Sequence, residues 1–405
     1  MIKKISIKNY KSIVDDEIEL GRVNVFIGAN GAGKSNILEA VAMFSTAQGF
    51  DLSVESLYNK GVRVTKPNLM FSSFLGKKQK NSVKIDIESS ENIKFSSEII
   101  AKSPDDIYTK WSTIEREKLL KKLLKKVKEE RTKVVANLVG DVNYEELSKE
   151  EAIPIMWGGL PEVRSYFFAE ELPVGTTFHR FITYQIYTLS TPALRGITQT
   201  SKKQPLGLNG ENLDILLSTF DDEEWQLLMD HSHFISWMED VITDKDDRLK
   251  FEGHKLGRST STLYFVDQFM RKNNNIFAAE NANEGALHIL FYLALFISKK
   301  TPSFFAIDNI ETALNPKICR ALIKSIAELA KLRDKQVLIT THNPAVLDGI
   351  NLNDDQQRLF VVSRTDEGHT KTERIKLKPG GNQNKRKLSE YWMRGDLGGL
   401  PNNFL

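Results

Sequence analysis

Eight consecutive residues constrain this chain more than any other feature: Gly28-Ala29-Asn30-Gly31-Ala32-Gly33-Lys34-Ser35. They fit G-x-x-x-x-G-K-[ST], and their surroundings fit as well. Upstream, Val23-Asn24-Val25-Phe26-Ile27 has strand character. Downstream, Ile37, Leu38, Val41, Ala42 and Phe44 recur at helical spacing, so the predicted order is strand, loop, helix. Glycines let the backbone curl until its N–H groups converge, and the helix adds the positive end of its dipole. The result is a site for a β-phosphate. Lys34 would bring a mobile charge to the β- and γ-phosphates, and Ser35 would offer its hydroxyl to Mg²⁺.

A phosphate loop of this kind needs a carboxylate at the end of a neighbouring strand to hold Mg²⁺. Phe304-Phe305-Ala306-Ile307-Asp308 provides four apolar residues ending in an acid, which makes Asp308 the candidate. A guanine site is excluded by Asn59-Lys60-Gly61-Val62, where Val62 stands in place of the Asp of N-K-x-D; the expected nucleotide is ATP. Gln336-Val337-Leu338-Ile339-Thr340-Thr341-His342 is a second buried strand. It delivers His342 at its C-terminal end, where open α/β sheets place ligand sites. Asn281-Ala282-Asn283-Glu284-Gly285 is a polar turn opening an apolar helix, another anion-facing helix start.

Composition closes off several alternatives. With 56 Lys plus Arg against 53 Asp plus Glu, the net charge of +3 carries no global polyanion-binding signature. A lone cysteine, Cys319, excludes a disulfide framework or a Cys-based zinc site and suits a reducing compartment. The apolar stretch around Ile289 to Ile297 is about half of the roughly 20 residues a membrane span needs. The expectation is a cytoplasmic protein without a membrane partner.

Along the chain, Ile2, Ile5 and Ile7 alternate like a strand, with a turn expected over Lys8 to Ser12. Ser82–Ser89 and Ile93–Ile99 read as a hairpin about Glu91-Asn92. A helix is expected over Ile114–Leu138, a second near Asp221–Ile242, and further helices over Gly285–Ser298 and Pro316–Leu332. The end reads as a hairpin (Arg358–Arg364, Thr370–Leu377) followed by a helix near Leu388–Arg394. Apolar strands alternating with helices predict a parallel sheet covered by helices.

The order of phosphate loop, polar helix start, acid and histidine resembles the nucleotide-binding heads of ABC-type ATPases, specifically the RecF/SMC/OLD-like group. The opening Ile5-Ser6-Ile7-Lys8-Asn9-Tyr10-Lys11-Ser12 is similar to that group's strand followed by N-F-[KR]-S, and Phe26 to Ala40 matches its phosphate loop. The similarity covers about 1–50, 205–215 and 276–350, and the tail Leu388–Gly395 is similar to the ends of small members. Within the group the resemblance is closest to ATPase subunits of bacterial anti-phage systems such as Septu and PARIS.

The resemblance implies an α/β P-loop ABC-type ATPase head with a mixed sheet and a helical insertion lobe. The expected division is 1–100 and 271–405 for the head and 101–270 for the lobe. It implies two heads sandwiching two ATP molecules, in a homodimer or higher oligomer. Asn283 and Gly285 would form the signature turn facing the partner's ATP, and Asp308 with Ser35 would hold Mg²⁺. His342 would sense the γ-phosphate. Lys11 and Asn36 would lie beside the nucleotide, and Leu314 and Asn315 in the loop crossing the dimer interface.

Departures from the pattern bear on catalysis. Asn283 stands where Ser is usual, and Asn309 follows Asp308 where the group has the Glu that polarises the attacking water. An amide cannot accept that proton; Glu311, two residues on, matches the second acid of D-E-x-E and is the substitute base. Slow turnover is expected, with a non-hydrolysing scaffold held by ATP as the alternative.

The stretch between Ser35 and Asn283 is longer than such a head requires. It contains Arg116, Lys118, Lys121, Lys122, Lys125, Lys126, Lys128, Arg131 and Lys133 against Glu117, Glu129 and Glu130, with leucines on the other face. That basic amphipathic pattern reads either as a DNA or RNA backbone contact, as a RecF-like repair ATPase would need, or as a solvated or partner-docking face. The stretch after His342 is too short for a nuclease domain, so a separate effector, such as a nuclease, is expected. Asp354-Asp355 reads as a turn, and His231 and His233 as surface residues.

Overall fold

The computed structural model describes residues 1–49, 52–76, 79–115, 117–118, 176–197, 205–376 and 386–399. Its centre is a six-stranded sheet in the order β14-β13-β3-β12-β11-β7, built from Thr370–Ile375, Gln357–Arg364, Val23–Ile27, Gln336–Thr341, Phe304–Ile307 and Ile186–Tyr187. The strands β13, β3, β12, β11 and β7 run parallel, and β14 returns antiparallel to β13. These central strands are apolar throughout because both faces are covered.

Alternation divides their side chains between two cores. Val23, Val25, Ile27, Phe305, Ile307, Val337 and Ile339 face the helices Glu284–Ile297 and Pro316–Leu332. Phe26, Phe304, Ala306, Leu338 and Phe360 face the other way, toward the helix Lys34–Gln48. On that side Phe26 stacks on Phe360 at 4.9 Å between ring centroids. The helix Lys34–Gln48 lies between this sheet and a second, antiparallel one, β2-β1-β4-β5-β6, and is buried almost all round. The second sheet comprises Ile13–Glu19, Ile2–Tyr10, Ser82–Ser89, Lys94–Ala101 and Trp111–Thr113. A three-stranded antiparallel sheet completes the described elements: β8 (Met238–Thr243), β9 (Leu263–Asp267) and β10 (Ile276–Ala278). Val241, Leu263 and Phe265 join the first core.

The fold is the expected α/β class with a mixed sheet, and the hairpin about Asn92 and the helix Pro316–Leu332 fall where the periodicity puts them. Some expectations need correction. The turn over Lys8 to Ser12 is tighter: β1 continues to Tyr10, and the chain reverses with Lys11 in left-handed backbone at φ 46. It returns as β2, an unforeseen strand. Its acidic residues obscure the alternation; they face lysines across the pair, with Lys4 on Glu17 at 2.5 Å and Lys8 on Asp15 at 3.1 Å.

The helix expected over Asp221–Ile242 stops at Ser232, and its latter part is β8. Asp221 and Glu224 form a capping box that fixes the start, whereas the β-branched pair Val241-Ile242 pairs with β9. The described part of 101–270 holds helices, the longest of them Asp222–Ser232, beside the strands β6, β8 and β9, and its β7 belongs to the central sheet. Except for 114–115 and 117–118, the helix Ile114–Leu138 and the basic stretch Arg116–Lys133 lie outside the described residues, as does Leu377.

Candidate functional site

The C-terminal ends of β3, β11 and β12 converge on the phosphate loop. After Ile27 the chain passes so close to β13 that a Cβ on Gly28 would sit 2.1 Å from the carbonyl oxygen of Val362. Gly33 adopts φ 111 as the cap of the helix Lys34–Gln48, with no side-chain cap and no acidic residue in the first turn. That helix start is left electropositive and open, the condition for anion binding.

Lys34 is 5% exposed and folds back over the loop. Its Nζ donates to the carbonyls of Gly28 (2.7 Å) and Ala29 (3.0 Å) and lies 3.2 Å from His342 Nδ1. With Nδ1 as acceptor, the imidazole proton belongs on Nε2. Burial pushes the Lys34 ammonium down to about 8, against the pull of Asp308 and Glu311. Burial and then the Lys34 charge also lower His342.

Ser35 Oγ donates to both carboxylate oxygens of Asp308, at 3.1 and 3.0 Å. Thr340 Oγ1 donates to the same carboxylate and accepts from the Asn309 amide at 2.9 Å. Glu311 Oε1 accepts from the His342 amide at 2.7 Å, and Glu311 Oε2 is buried without a hydrogen-bond partner. Gly28 to Ser35, Asp308, Glu311 and His342 are thus brought together. Asn309 contributes its backbone and takes φ 57.

Other candidates are placed differently. Lys11 Nζ is bound to Glu39, a 2%-exposed carboxylate that also holds Arg63 Nε and lies 3.3 Å from the Tyr10 hydroxyl. Asn36 Nδ2 donates to Ser12 Oγ at 2.7 Å, while Asn30 is exposed. Asn283 caps the helix Glu284–Ile297, its Oδ1 accepting from Ala286 N at 3.3 Å. Gly285 abuts the loop after β11, where a Cβ would be 3.0 Å from Ala313 O. Asn315 caps the helix Pro316–Leu332 and Leu314 is half-buried.

Thr340, Glu39, Arg63 and Ser12 escaped the sequence reading, although Thr340 sits two residues before His342 on the same strand. The Asp354-Asp355 turn is confirmed: Asp355 pairs with Arg358 at 2.8 Å and also with Arg374. Among the described residues no group of three or more His, Cys, Asp or Glu could hold a metal ion, and no helix is long and apolar enough to cross a membrane.

Comparison with known proteins agrees with this geometry. The fold is that of an SMC-type ATPase head. An SMC head solved with the C-terminal winged-helix domain of ScpA superposes with a TM-score of 0.50 and 15% identity, covering 93% of this chain and 98% of that one. Residues 1–159 match the family model "AAA ATPase domain", and residues 204–348 match "AAA domain, putative AbiEii toxin, Type IV TA system". Two models of ATPase-type domains thus match successive stretches of the chain.

An uncharacterized protein of Methanocaldococcus jannaschii is 46% identical over 59 residues, 14% of this chain and 27% of that protein. The DNA replication and repair protein RecF of Phocaeicola vulgatus is 40% identical over 57 residues, 14% of this chain and 15% of RecF. The matches thus span about a quarter or less of these relatives' length.

Proposed function

We propose that the chain binds Mg-ATP at the phosphate loop, associates head to head in that state, and hydrolyses the nucleotide slowly. The observation that carries this reading is the meeting of Lys34, Ser35, Asp308, Glu311 and His342 at the C-terminal ends of the central strands. The residues fit both cofactors. The open start of the helix Lys34–Gln48 and the Lys34 ammonium suit phosphates, and the Ser35 hydroxyl beside the Asp308 carboxylate is an oxygen donor set for a hard cation. Mg²⁺ held there would neutralise charge on the phosphates.

Thr340 orients Asp308 for that role, and Lys34 exchanges two loop carbonyls for phosphate oxygens. Glu311 takes the proton of the attacking water through its unpartnered oxygen, while His342 orients the γ-phosphate. Asn283 and Gly285 would complete the site of the partner head. Lys34→Ala should weaken ATP binding by at least about 100-fold and abolish ATP-dependent association, read as oligomeric mass with and without ATP. Unchanged mass and affinity would remove the phosphate loop from the mechanism.

We further propose that the ATP-bound assembly gates a separate effector, such as a nuclease, in a Septu- or PARIS-like anti-phage system. The closer resemblance of the sequence to those ATPases within the RecF/SMC/OLD-like group supports this. Cells carrying the chain with its neighbouring genes should resist phage, and Lys34→Ala should restore full plating; equal plating of both would sink the defence role. Asn309, which cannot act as a base, favours a second reading in which ATP holds a scaffold without turnover.

A further inference from the structure

We propose that Thr370, backed by Ser12 and Asn36, positions the phosphate loop for nucleotide; the inference rests on the nucleotide-binding reading above. Thr370 opens β14, on the hairpin that packs outside the loop. Its Oγ1 donates to the carbonyl oxygen of Ala32 at 2.7 Å. A hydroxyl has one proton and a carbonyl can only accept, so at the 2.7 Å contact between Ser12 Oγ and Thr370 Oγ1 the donor is Ser12. Ser12 Oγ in turn accepts from Asn36 Nδ2 at 2.7 Å. The links run in one direction: Asn36 amide, Ser12 hydroxyl, Thr370 hydroxyl, Ala32 carbonyl.

Ser12, Thr370 and Ala32 are 6%, 3% and 3% exposed, so little water competes for these bonds. Thr370 N also donates to Ser12 O at 2.8 Å, which holds the two hydroxyls in register. In a trans peptide the C=O and the following N–H point in opposite directions. Fixing the Ala32 carbonyl on the hairpin therefore turns the Gly33 N–H away from it, toward the cradle side of the loop.

The hydroxyl also occupies the space a side chain at position 33 would need, since a Cβ there would lie 2.1 Å from Thr370 Oγ1. From the same hairpin, Arg364 Nε donates to Gly31 O at 2.9 Å. The hairpin thus grips two nearby carbonyls of the loop from outside. Thr370 touches no reacting atom; it is a positioning residue.

The test compares the full chain with Thr370→Val, Thr370→Ser and Ser12→Ala, measuring MgATP affinity, KM and kcat where circular dichroism shows each to be folded. Valine keeps the shape and removes the hydroxyl, so affinity should fall about tenfold, with KM rising in parallel and kcat within about twofold. Serine should return affinity to within about twofold of wild type.

Wild-type affinity in Thr370→Val, or equal weakening by Ser and Val, would overturn the inference while leaving nucleotide binding intact. Absence of binding by folded wild type would overturn both readings. Should Thr370→Val fail to fold, Ser12→Ala decides, because it breaks the relay behind Thr370 but keeps the Thr370 hydroxyl. A loss of about threefold supports the relay, and unchanged affinity overturns it.

Discussion

Asn309 sits in left-handed backbone, a region that Asn visits far more readily than Glu. The position after Asp308 therefore suits a turn, and in the proposed mechanism the proton acceptor is Glu311. One Glu311 oxygen is fixed by the His342 amide, leaving the other free and shielded from solvent. Glu311→Gln keeps the shape and the first hydrogen bond but removes the basic oxygen. Steady-state hydrolysis should fall by about 10²–10⁴-fold while ATP affinity stays within a few-fold; undiminished turnover would exclude Glu311 as the base.

Lys34 was legible in the sequence from the glycine-rich pattern that ends in it, and Asp308 and His342 because each follows a stretch that announces its strand. The meeting of Ser12 and Thr370 was not. They lie 358 positions apart and meet only because β14 folds back on β13 beside the loop. Lys11 illustrates the opposite limit: its position was legible, but its partner Glu39 lies on the neighbouring helix and is fixed by packing.

At the scale of elements, Lys335 is the fastening between the helix Glu284–Ile297 and β12. Its Nζ donates to Ser298 O at 2.7 Å and to Thr301 O at 3.2 Å, although the residue is 2% exposed. Burial pushes its ammonium down to about 7. Between pH 7 and about 10.4, the unfolded chain binds a proton that the folded chain does not, so stability rises with pH across that window. The slope approaches about 1.4 kcal/mol per pH unit. Lys335→Met should remove this rise, measured as urea midpoints between pH 7 and 10; an identical slope in the variant would refute the assignment.

The elements themselves were legible in proportion to their apolar contrast. The helices at 284–297 and 316–332 and the strands beside them announce themselves. β2, laden with acids, and the sheet β8-β9-β10, whose short strands follow a well-capped helix, do not. There, cross-strand partners supply what local pattern lacks.

For the molecule as a whole, the position of β3 matters most. This strand from the N-terminal part lies between β12 and β13, both from the C-terminal part, and the central sheet exists only when the two are joined. The family models that match 1–159 and 204–348 therefore mark two stretches of sequence, not two bodies that fold alone. Pieces spanning 1–118 and 176–405, produced together, should copurify as one particle with native-like circular dichroism and ATP affinity. Produced separately, each should aggregate, because each exposes a sheet face that the other covers. A soluble, folded 1–118 piece on its own would refute this. If the two halves do depend on each other in this way, they are also bound together in inheritance: neither can be exchanged for the matching half of a distant relative unless the surfaces on both sides of β3 change with it.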